Sequence, residues 1–258
     1  KGGYGRISVE QAIWYSSNIG VAKTILKGYE KNPTKYVEGL YRIGLNEDLR
    51  LEIPGAGRAK IRRPDDTVRY WSKTALPWMS FGYETQIPPI YTLAFYNAIA
   101  NNGKMVRPIF TKEIMHNGKT VQSFSTEVIR ESICSERTLN MIKDMLLGVV
   151  EKGTGKAVHS DFVRIAGKTG TTTSNKDLWF CGFTPYYTCA VWGGYDDNKE
   201  CDYDTSFRFR LWKGIMSRIH ENLEEKDFKV PSSVERKSIC TITGKLAGSG
   251  CPSITEYF

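Results

Sequence analysis

The sequence predicts an α+β fold in which an antiparallel sheet is packed with helices. Apolar residues recur at helical spacing through most of the first 150 residues. Three strand-like runs, at residues 163–168, 178–183 and 188–195, then follow one another with short connections, which favours antiparallel pairing. A last helical stripe over residues 207–219 can return to cover that sheet, and this order of elements is typical of the α+β class.

The first helix is predicted to begin at Ser8, because Gln11 follows it at capping-box spacing. The polar run Ser16-Ser17-Asn18 then interrupts the helical pattern, since these side chains compete for backbone hydrogen bonds and disfavour helix interiors. Val21 and the apolar residues after it resume a helical stripe. The polar run is therefore expected between two helices, which present it more rigidly than an open loop does.

The middle of the chain contains two more predicted helices on either side of an irregular stretch. One covers residues 36–43 and ends at Gly44, and the other covers residues 90–101, starts after a proline pair and ends at Gly103. Between them, residues 51–78 lose all periodicity among glycines, prolines and charges. We interpret that stretch as a long surface excursion near a binding face.

A hairpin and a helix are predicted before the main sheet. Strand-like runs at residues 105–114 and 120–128 are joined by Asn117-Gly118, a dipeptide typical of two-residue hairpin turns. A helix follows from Ser135 and ends at Gly153.

The length of 258 residues predicts one large domain. We expect it to occupy residues 1–230, with residues 231–258, rich in serine, glycine and threonine, as an irregular C-terminal extension. The net charge of +8 suits an anionic partner such as a membrane surface, a nucleic acid or a cell-wall polymer, and does not choose among them. No apolar run approaches the roughly 18 residues that span a bilayer, so no membrane span is expected within the chain, and any targeting segment is expected outside it.

The six cysteines include no C-x-x-C pair, which argues against a zinc site or a redox motif. Cys240 and Cys251 either bridge the C-terminal segment or remain buried thiols, and the sequence leaves both possibilities open. No metal or cofactor is predicted.

The stretch with the most candidate binding and catalytic residues is Ala-Gly-Lys-Thr-Gly-Thr-Thr at residues 166–172, which follows a strand-like run. A phosphate-binding loop would require glycine at position 162, where this chain has Phe162. The pattern instead favours a strand whose backbone is itself a binding surface, because Gly170 lacks a side chain that would keep another chain away. A plain strand that runs into a turn is the alternative interpretation.

On the binding interpretation, Lys168 supplies a fixed positive charge at this strand. Thr169 and Thr171 offer hydroxyl groups to a carboxylate, and the Thr171 backbone N–H can face a developing oxyanion. The sequence therefore predicts a site for an anionic ligand whose reaction develops negative charge.

Together with several other sequence segments, the lysine-threonine-glycine element makes this chain resemble the transpeptidase domain of penicillin-binding proteins, in which that element is a known motif. The N-terminal half is similar to class B proteins of the cell-division type, and the chain from Gly167 onward is similar to class A. The phrases that carry the resemblance are Gly3-Tyr4-Gly5-Arg6-Ile7-Ser8-Val9-Glu10-Gln11-Ala12, Ser16-Ser17-Asn18-Ile19-Gly20, Ala98-Ile99-Ala100-Asn101-Asn102-Gly103, Gly167-Lys168-Thr169-Gly170-Thr171-Thr172, Asp177-Leu178-Trp179-Phe180-Cys181-Gly182-Phe183 and Ala190-Val191-Trp192-Gly193-Gly194-Tyr195.

The resemblance implies a fold shared with serine β-lactamases, in which Ser16 and Asn18 face the strand of Lys168 across a cleft. It implies that Ser16 relays protons, that Asn18 orients the substrate amide and that Lys168 provides a positive field. Thr169, Gly170 and Thr171 would bind the substrate. The implied activity is D,D-transpeptidation of peptidoglycan stem peptides through a serine ester, inhibited by β-lactams.

The implied location is the extracytoplasmic face of the bacterial inner membrane, with an anchor outside this sequence. Cell-wall synthesis or division proteins are implied as further partners, and no nucleic acid is. His116, His159 and His220 are not expected to take part.

One part of the family pattern is missing, because no serine among the 258 residues has a lysine three positions later. The family's nucleophile lies in such a motif upstream of the Ser16 loop, so we expect it to precede Lys1. Two other functions stay open: a hydrolase of the carboxypeptidase or β-lactamase kind, and an inactive scaffold that binds wall peptides or β-lactams reversibly.

Overall fold

The computed structural model describes residues 3–68, 70–201, 204–228 and 236–257. The chain divides into two compact units, residues 1–226 and residues 227–258. The first unit contains the helices and the main sheet.

The predicted helices of the first unit are present in the predicted order, together with a short helix at residues 75–79 that was not predicted. Within the described residues they are α1 (Val9–Trp14), α2 (Asn18–Tyr29), α3 (Pro33–Arg42), α4 (Ala75–Met79), α5 (Pro89–Ala100), α6 (Glu136–Glu151) and α7 (Phe207–His220), with short 3-10 turns at Lys156–Val158 and Thr173–Asn175.

Where the same unit is described, its strands form four small antiparallel sheets. They are β1 (Lys60–Ile61), β2 (Thr85–Gln86), β3 (Met105–Val106), β4 (Glu113–His116), β5 (Lys119–Ser123), β6 (Val128–Arg130), β7 (Ala166–Thr171), β8 (Asp177–Phe183) and β9 (Thr188–Gly194). The described pairings are β1 with β2, β3 with β6, β4 with β5, and the three-stranded order β7-β8-β9.

The three-stranded sheet is the structural centre of this unit. Its core side is filled by Phe180 and the indole of Trp212 from α7, both fully buried and in edge-on contact with ring centroids 5.2 Å apart. Trp212 also donates its Nε1–H to the carbonyl oxygen of Cys189 at 2.9 Å, which ties α7 to β9. The helix therefore covers the sheet as the sequence predicts.

The break between α1 and α2 is also found where it is predicted. Ser8 and Gln11 form the reciprocal capping box at the start of α1. Ser16 adopts a left-handed backbone conformation with φ of 52°, and Ser17 caps α2 by accepting a hydrogen bond from the Gly20 N–H. The polar run thus lies between the last turn of α1, whose Ile13 and Ala12 carbonyl oxygens accept from the Ser16 and Ser17 N–H groups, and the capped start of α2.

The carboxyl half of α6 packs closely against Trp14 at the end of α1. A Cβ atom added at Gly148 would lie 2.1 Å from Trp14 Nε1, and one added at Gly153 would lie 2.1 Å from the Trp14 carbonyl oxygen. Both positions must be glycine for this approach, which brings α1 and the Ser16 loop toward the sheet.

Three sequence predictions for the first unit differ from the structure. The first strand of the main sheet begins at Ala166 and not at 163, so the lysine-threonine-glycine element lies inside a strand. The hairpin turn at Asn117-Gly118 is confirmed, and both of its residues have positive φ, but each predicted flanking strand is interrupted. Residues 51–78 are not wholly a surface excursion, because β1 and most of α4 lie within them and Ala75 and Leu76 are buried.

The second unit is not the irregular extension that its composition predicts. Strands β10 (Arg236–Cys240) and β11 (Ser253–Tyr257) pair in antiparallel register, and a disulfide joins Cys240 to Cys251. This outcome settles the open question of the two cysteines. In a segment this short, a cross-link substitutes for a hydrophobic core, which is why composition alone gave the wrong prediction.

Among the described residues, no helix is both long enough and apolar enough to cross a bilayer.

Candidate active site

A cleft of about 670 Å³ opens between the Ser16 loop and strand β7. All six residues predicted to form the site line it. The complete lining consists of Ala12, Ile13, Ser16, Asn18, Val21, Trp78, Ser80, Phe81, Tyr83, Tyr96, Lys168, Thr169, Gly170, Thr171, Thr172 and Thr173.

Strand β7 forms one wall and presents an open backbone edge to the cleft. It pairs only with β8 among the described strands, so one of its edges is free. The Thr172 N–H donates to the Asp177 carbonyl oxygen across the ladder. Because alternate residues of an antiparallel strand point their N–H groups to opposite sides, the N–H groups of Thr169 and Thr171 face the open edge.

Lys168 makes the contact that spans the cleft. Its Nζ donates to Ser16 Oγ at 2.8 Å, although the two residues are 152 positions apart in the sequence. The same ammonium donates to the carbonyl oxygen of Thr169 at 2.9 Å and lies 3.5 Å from the Thr169 hydroxyl. Burial lowers the pKa of Lys168 to about 8, because desolvation disfavours the charged form.

The facing wall is formed by the residues between α1 and α2. The positive φ of Ser16 turns its hydroxyl toward Lys168, and Asn18 occupies the first turn of α2. The Asn18 amide makes no hydrogen bond to the described residues, and it lines the cleft. It is therefore available to a ligand.

The three positions after Lys168 have different surroundings. The Thr169 hydroxyl bonds to the Thr154 hydroxyl at 2.9 Å, and Thr171 is exposed at the end of β7. A Cβ added at Gly170 would lie 3.0 Å from the Cβ of Trp179, its partner on β8. The glycine therefore also serves packing against β8, a reason that the sequence pattern does not reveal.

A third wall consists of aromatic side chains that the sequence analysis missed. The rings of Trp78, Phe81 and Tyr83 contact one another, with centroids 5.0 to 5.9 Å apart. The Tyr83 hydroxyl accepts a hydrogen bond from the Thr173 N–H at 3.0 Å and bonds to the Thr173 hydroxyl at 2.7 Å, which joins this wall to the end of β7. The available signal was the density of aromatic residues around Gly82, immediately after the stretch interpreted as a surface excursion.

The three histidines lie outside the lining of this cleft. His220 is held by Thr184 and the Met216 carbonyl oxygen, His159 lies near Asp161, and His116 ends strand β4. Across the described ranges, no group of three or more His, Cys, Asp or Glu side chains is placed to hold a metal ion.

Comparison with known families gives this cleft its context. Residues 1–209 match the family model of the penicillin-binding protein transpeptidase domain, and residues 230–258 match that of the penicillin-binding protein 1A C-terminal domain. The first match covers most of the chain, and the chain therefore belongs to the penicillin-binding protein transpeptidase family.

Curated relatives are similar in sequence to this chain over nearly its whole length. Penicillin-binding protein 1A of Clostridium botulinum strain Hall is 30% identical over 246 residues, which cover 94% of this chain and 27% of the relative. Penicillin-binding protein 1A/1B of Bacillus subtilis is 29% identical over 98% of this chain and 28% of its own length. The chain thus spans little more than a quarter of these relatives.

Solved structures share the fold. The D,D-transpeptidase domain of a peptidoglycan glycosyltransferase from Eggerthella lenta superposes with a TM-score of 0.66 at 24% identity, covering 84% of this chain and 55% of that one. Penicillin-binding protein 1A from Haemophilus influenzae gives a TM-score of 0.64 at 19% identity, and the superposition covers 96% of this chain and 39% of that one. The expected transpeptidase fold is confirmed.

Proposed function

We propose that the cleft is part of a D,D-transpeptidase site that cross-links peptidoglycan stem peptides and that β-lactams acylate. The observation that carries the proposal is the 2.8 Å hydrogen bond from Lys168 Nζ to Ser16 Oγ beside the open edge of β7. This arrangement combines a positive charge, a hydroxyl able to pass a proton, and backbone N–H groups that face an empty space.

The proposed reaction is acyl transfer in two steps. A serine hydroxyl attacks the carbonyl carbon that links the two terminal D-alanines, its proton passes through Ser16 to the departing amine, and D-alanine leaves. An amine of a second stem peptide then attacks the ester carbonyl carbon; the amide bond forms, the ester C–O bond breaks, and a proton passes from the amine to the serine oxygen. Lys168 stabilises the negative charge that develops, and the Thr171 N–H faces the oxyanion.

Substrate binding is assigned to the remaining predicted residues. The hydroxyls of Thr169 and Thr171 receive the terminal carboxylate, Asn18 binds the substrate amide, and Gly170 leaves space along the strand. No serine among the 258 residues has a lysine three positions later, so the attacking serine is not assigned to any of these residues. The protein acts outside the cytoplasmic membrane, where its substrate is located, and it works with other cell-wall proteins.

The test is covalent labelling of the full-length encoded protein with a fluorescent penicillin. We expect one label per protein, and Lys168→Gln should slow acylation about 10²-fold or more, as loss of a preorganised donor typically does. Lys119→Gln, on the exposed β4–β5 hairpin, is the control and should label at the normal rate. The 258-residue chain alone should form no stoichiometric adduct, because it has no serine-x-x-lysine motif; a saturable covalent adduct on it would show that the nucleophile lies among these residues.

The same experiment separates the two other candidate functions. The lack of a serine-x-x-lysine motif in this chain favours a reversible scaffold, which would bind penicillin without any covalent label on the full-length protein. Rapid loss of the label by hydrolysis would instead indicate a β-lactamase or carboxypeptidase.

A further inference from the structure

Thr154 does not line the cleft, but it bonds to Thr169 in one wall and to Trp14 next to the other wall. It lies in the Gly153-Thr154-Gly155 turn that follows α6. Its backbone N–H donates to the carbonyl oxygen of Trp14 at 3.0 Å, two residues before Ser16. Its hydroxyl bonds to the hydroxyl of Thr169 at 2.9 Å, on strand β7.

These two bonds close a ring that contains the catalytic contact. From Ser16 the chain runs back to Trp14, crosses to Thr154, and reaches Thr169 and its neighbour Lys168, whose Nζ returns to Ser16 Oγ at 2.8 Å. The spacing of the two walls is thereby linked to the position of Thr154.

The turn that carries Thr154 is itself fixed. The N–H groups of Gly153 and Gly155 both donate to the Val149 carbonyl oxygen, at 3.1 and 2.9 Å. Gly153 also lies so close to the Trp14 carbonyl that no side chain fits there. The Thr154 hydroxyl is therefore held by α6 and not by a mobile loop.

From this geometry we infer that Thr154 is a positioning residue that aims the Thr169 hydroxyl at the carboxylate of the ligand. The inference rests on the proposed function. Lys168 Nζ lies 3.5 Å from the Thr169 hydroxyl oxygen and donates to it, and the Thr154 hydroxyl oxygen lies 2.9 Å from the same atom, where either hydroxyl can donate. When both groups donate to that oxygen, the Thr169 proton is left to point into the cleft, where a carboxylate accepts it.

The test compares Thr154→Val with Thr154→Ser in the full-length protein. Valine keeps the backbone N–H and the side-chain shape but removes the hydroxyl, whereas serine keeps the hydroxyl. We expect valine to slow acylation by benzylpenicillin fivefold to tenfold, the effect of losing about one hydrogen bond, and serine to retain the normal rate. Thr120→Val is the matched control, because the Thr120 hydroxyl bonds to Glu113 on the exposed hairpin, away from the cleft.

A second probe distinguishes a loss of the Thr169–carboxylate interaction from a general disturbance of the active-site structure. The methyl ester of benzylpenicillin lacks the carboxylate, so Thr154→Val should slow acylation by benzylpenicillin and leave the slower reaction of the ester unchanged. Equal losses with both probes, an equal loss in Thr154→Ser, or a normal rate in Thr154→Val would each overturn the inference. If the valine variant does not fold, Thr154→Ala removes the same hydroxyl and is judged by the same outcomes. Failure of the unaltered protein to react with either probe would instead refute the proposed function.

Discussion

At the scale of single residues, the proposed site depends most on Lys168. A protonated amine has three hydrogens to donate, and Nζ has three oxygens around it, on Ser16 and on the carbonyl and hydroxyl of Thr169. This arrangement suits the charged form, while burial opposes it and lowers the pKa to about 8. The charge is thus retained at neutral pH, but Lys168 loses its proton at a lower pH than an exposed lysine does.

The lowered pKa of Lys168 predicts a pH dependence of acylation. Lys168 is protonated below pH 8 and loses its charge as the pH rises through that value, so a role as a cation predicts that acylation by penicillin declines above pH 8. Lys168→Arg keeps its charge throughout, since arginine titrates above about pH 12, and should lose this decline even if its absolute rate is lower. The measurement is the acylation rate from pH 6 to pH 10. A rate in the unaltered protein that climbs through pH 8 would show that the neutral amine is the active form.

Part of the site was predictable at this scale and part was not. Lys168, Thr169 and Thr171 follow from residue type and spacing, and Ser16 and Asn18 follow from the resemblance. The contact between Ser16 and Lys168 spans 152 positions, and no local pattern encodes it. The aromatic wall was missed because Trp78 and Tyr83 have no periodic partners in the sequence, and their contacts arise only on folding.

At the scale of elements, the packing of α1 against α6 determines where the Ser16 loop lies. Gly148 is buried in the last turns of α6 and faces the indole of Trp14, and Lys152 places its ammonium over the same ring at 4.9 Å. Glycine weakens a helix interior by about 1 kcal/mol relative to alanine. Its presence in α6 is explained by the close approach of α1.

This packing predicts opposite effects for two glycine substitutions. Gly148→Ala should lower the free energy of unfolding, because a collision with Trp14 costs about 1–3 kcal/mol and outweighs the gain in helix propensity. Gly28→Ala in α2 should be neutral or stabilising by up to about 1 kcal/mol, since nothing lies within 4 Å of the added carbon. Chemical denaturation of the chain measures both changes. A stabilised Gly148→Ala variant would contradict the described contact between α1 and α6.

The elements with the clearest local signals were predicted best. The capping box at Ser8, the Asn117-Gly118 turn and the main sheet all depend on residues close in sequence, and all are present. Helix α4 was missed because it is only five residues long, and the beginning of β7 was misplaced because apolar residues precede it without pairing.

At the scale of the whole molecule, the chain contains two units of different kinds. The first unit has a buried core around Phe180 and Trp212. The second contains a hairpin closed by the Cys240–Cys251 disulfide, and its two strands lie within the match to the penicillin-binding protein 1A C-terminal domain. An extracellular location, as proposed, suits a structural disulfide, and the net charge of +8 suits work near an anionic cell wall.

The proposed function depends most on the open edge of β7, which is expected to bind the carboxylate and the acyl oxygen of the penicillin or stem peptide. A crystal structure of the full-length protein acylated by benzylpenicillin tests it most directly. The account predicts the penicillin carboxylate within about 3 Å of the Thr169 and Thr171 hydroxyls, and the acyl oxygen at a similar distance from the Thr171 N–H. An adduct whose carboxylate points away from β7, or one attached outside the cleft between Ser16 and Lys168, would contradict it.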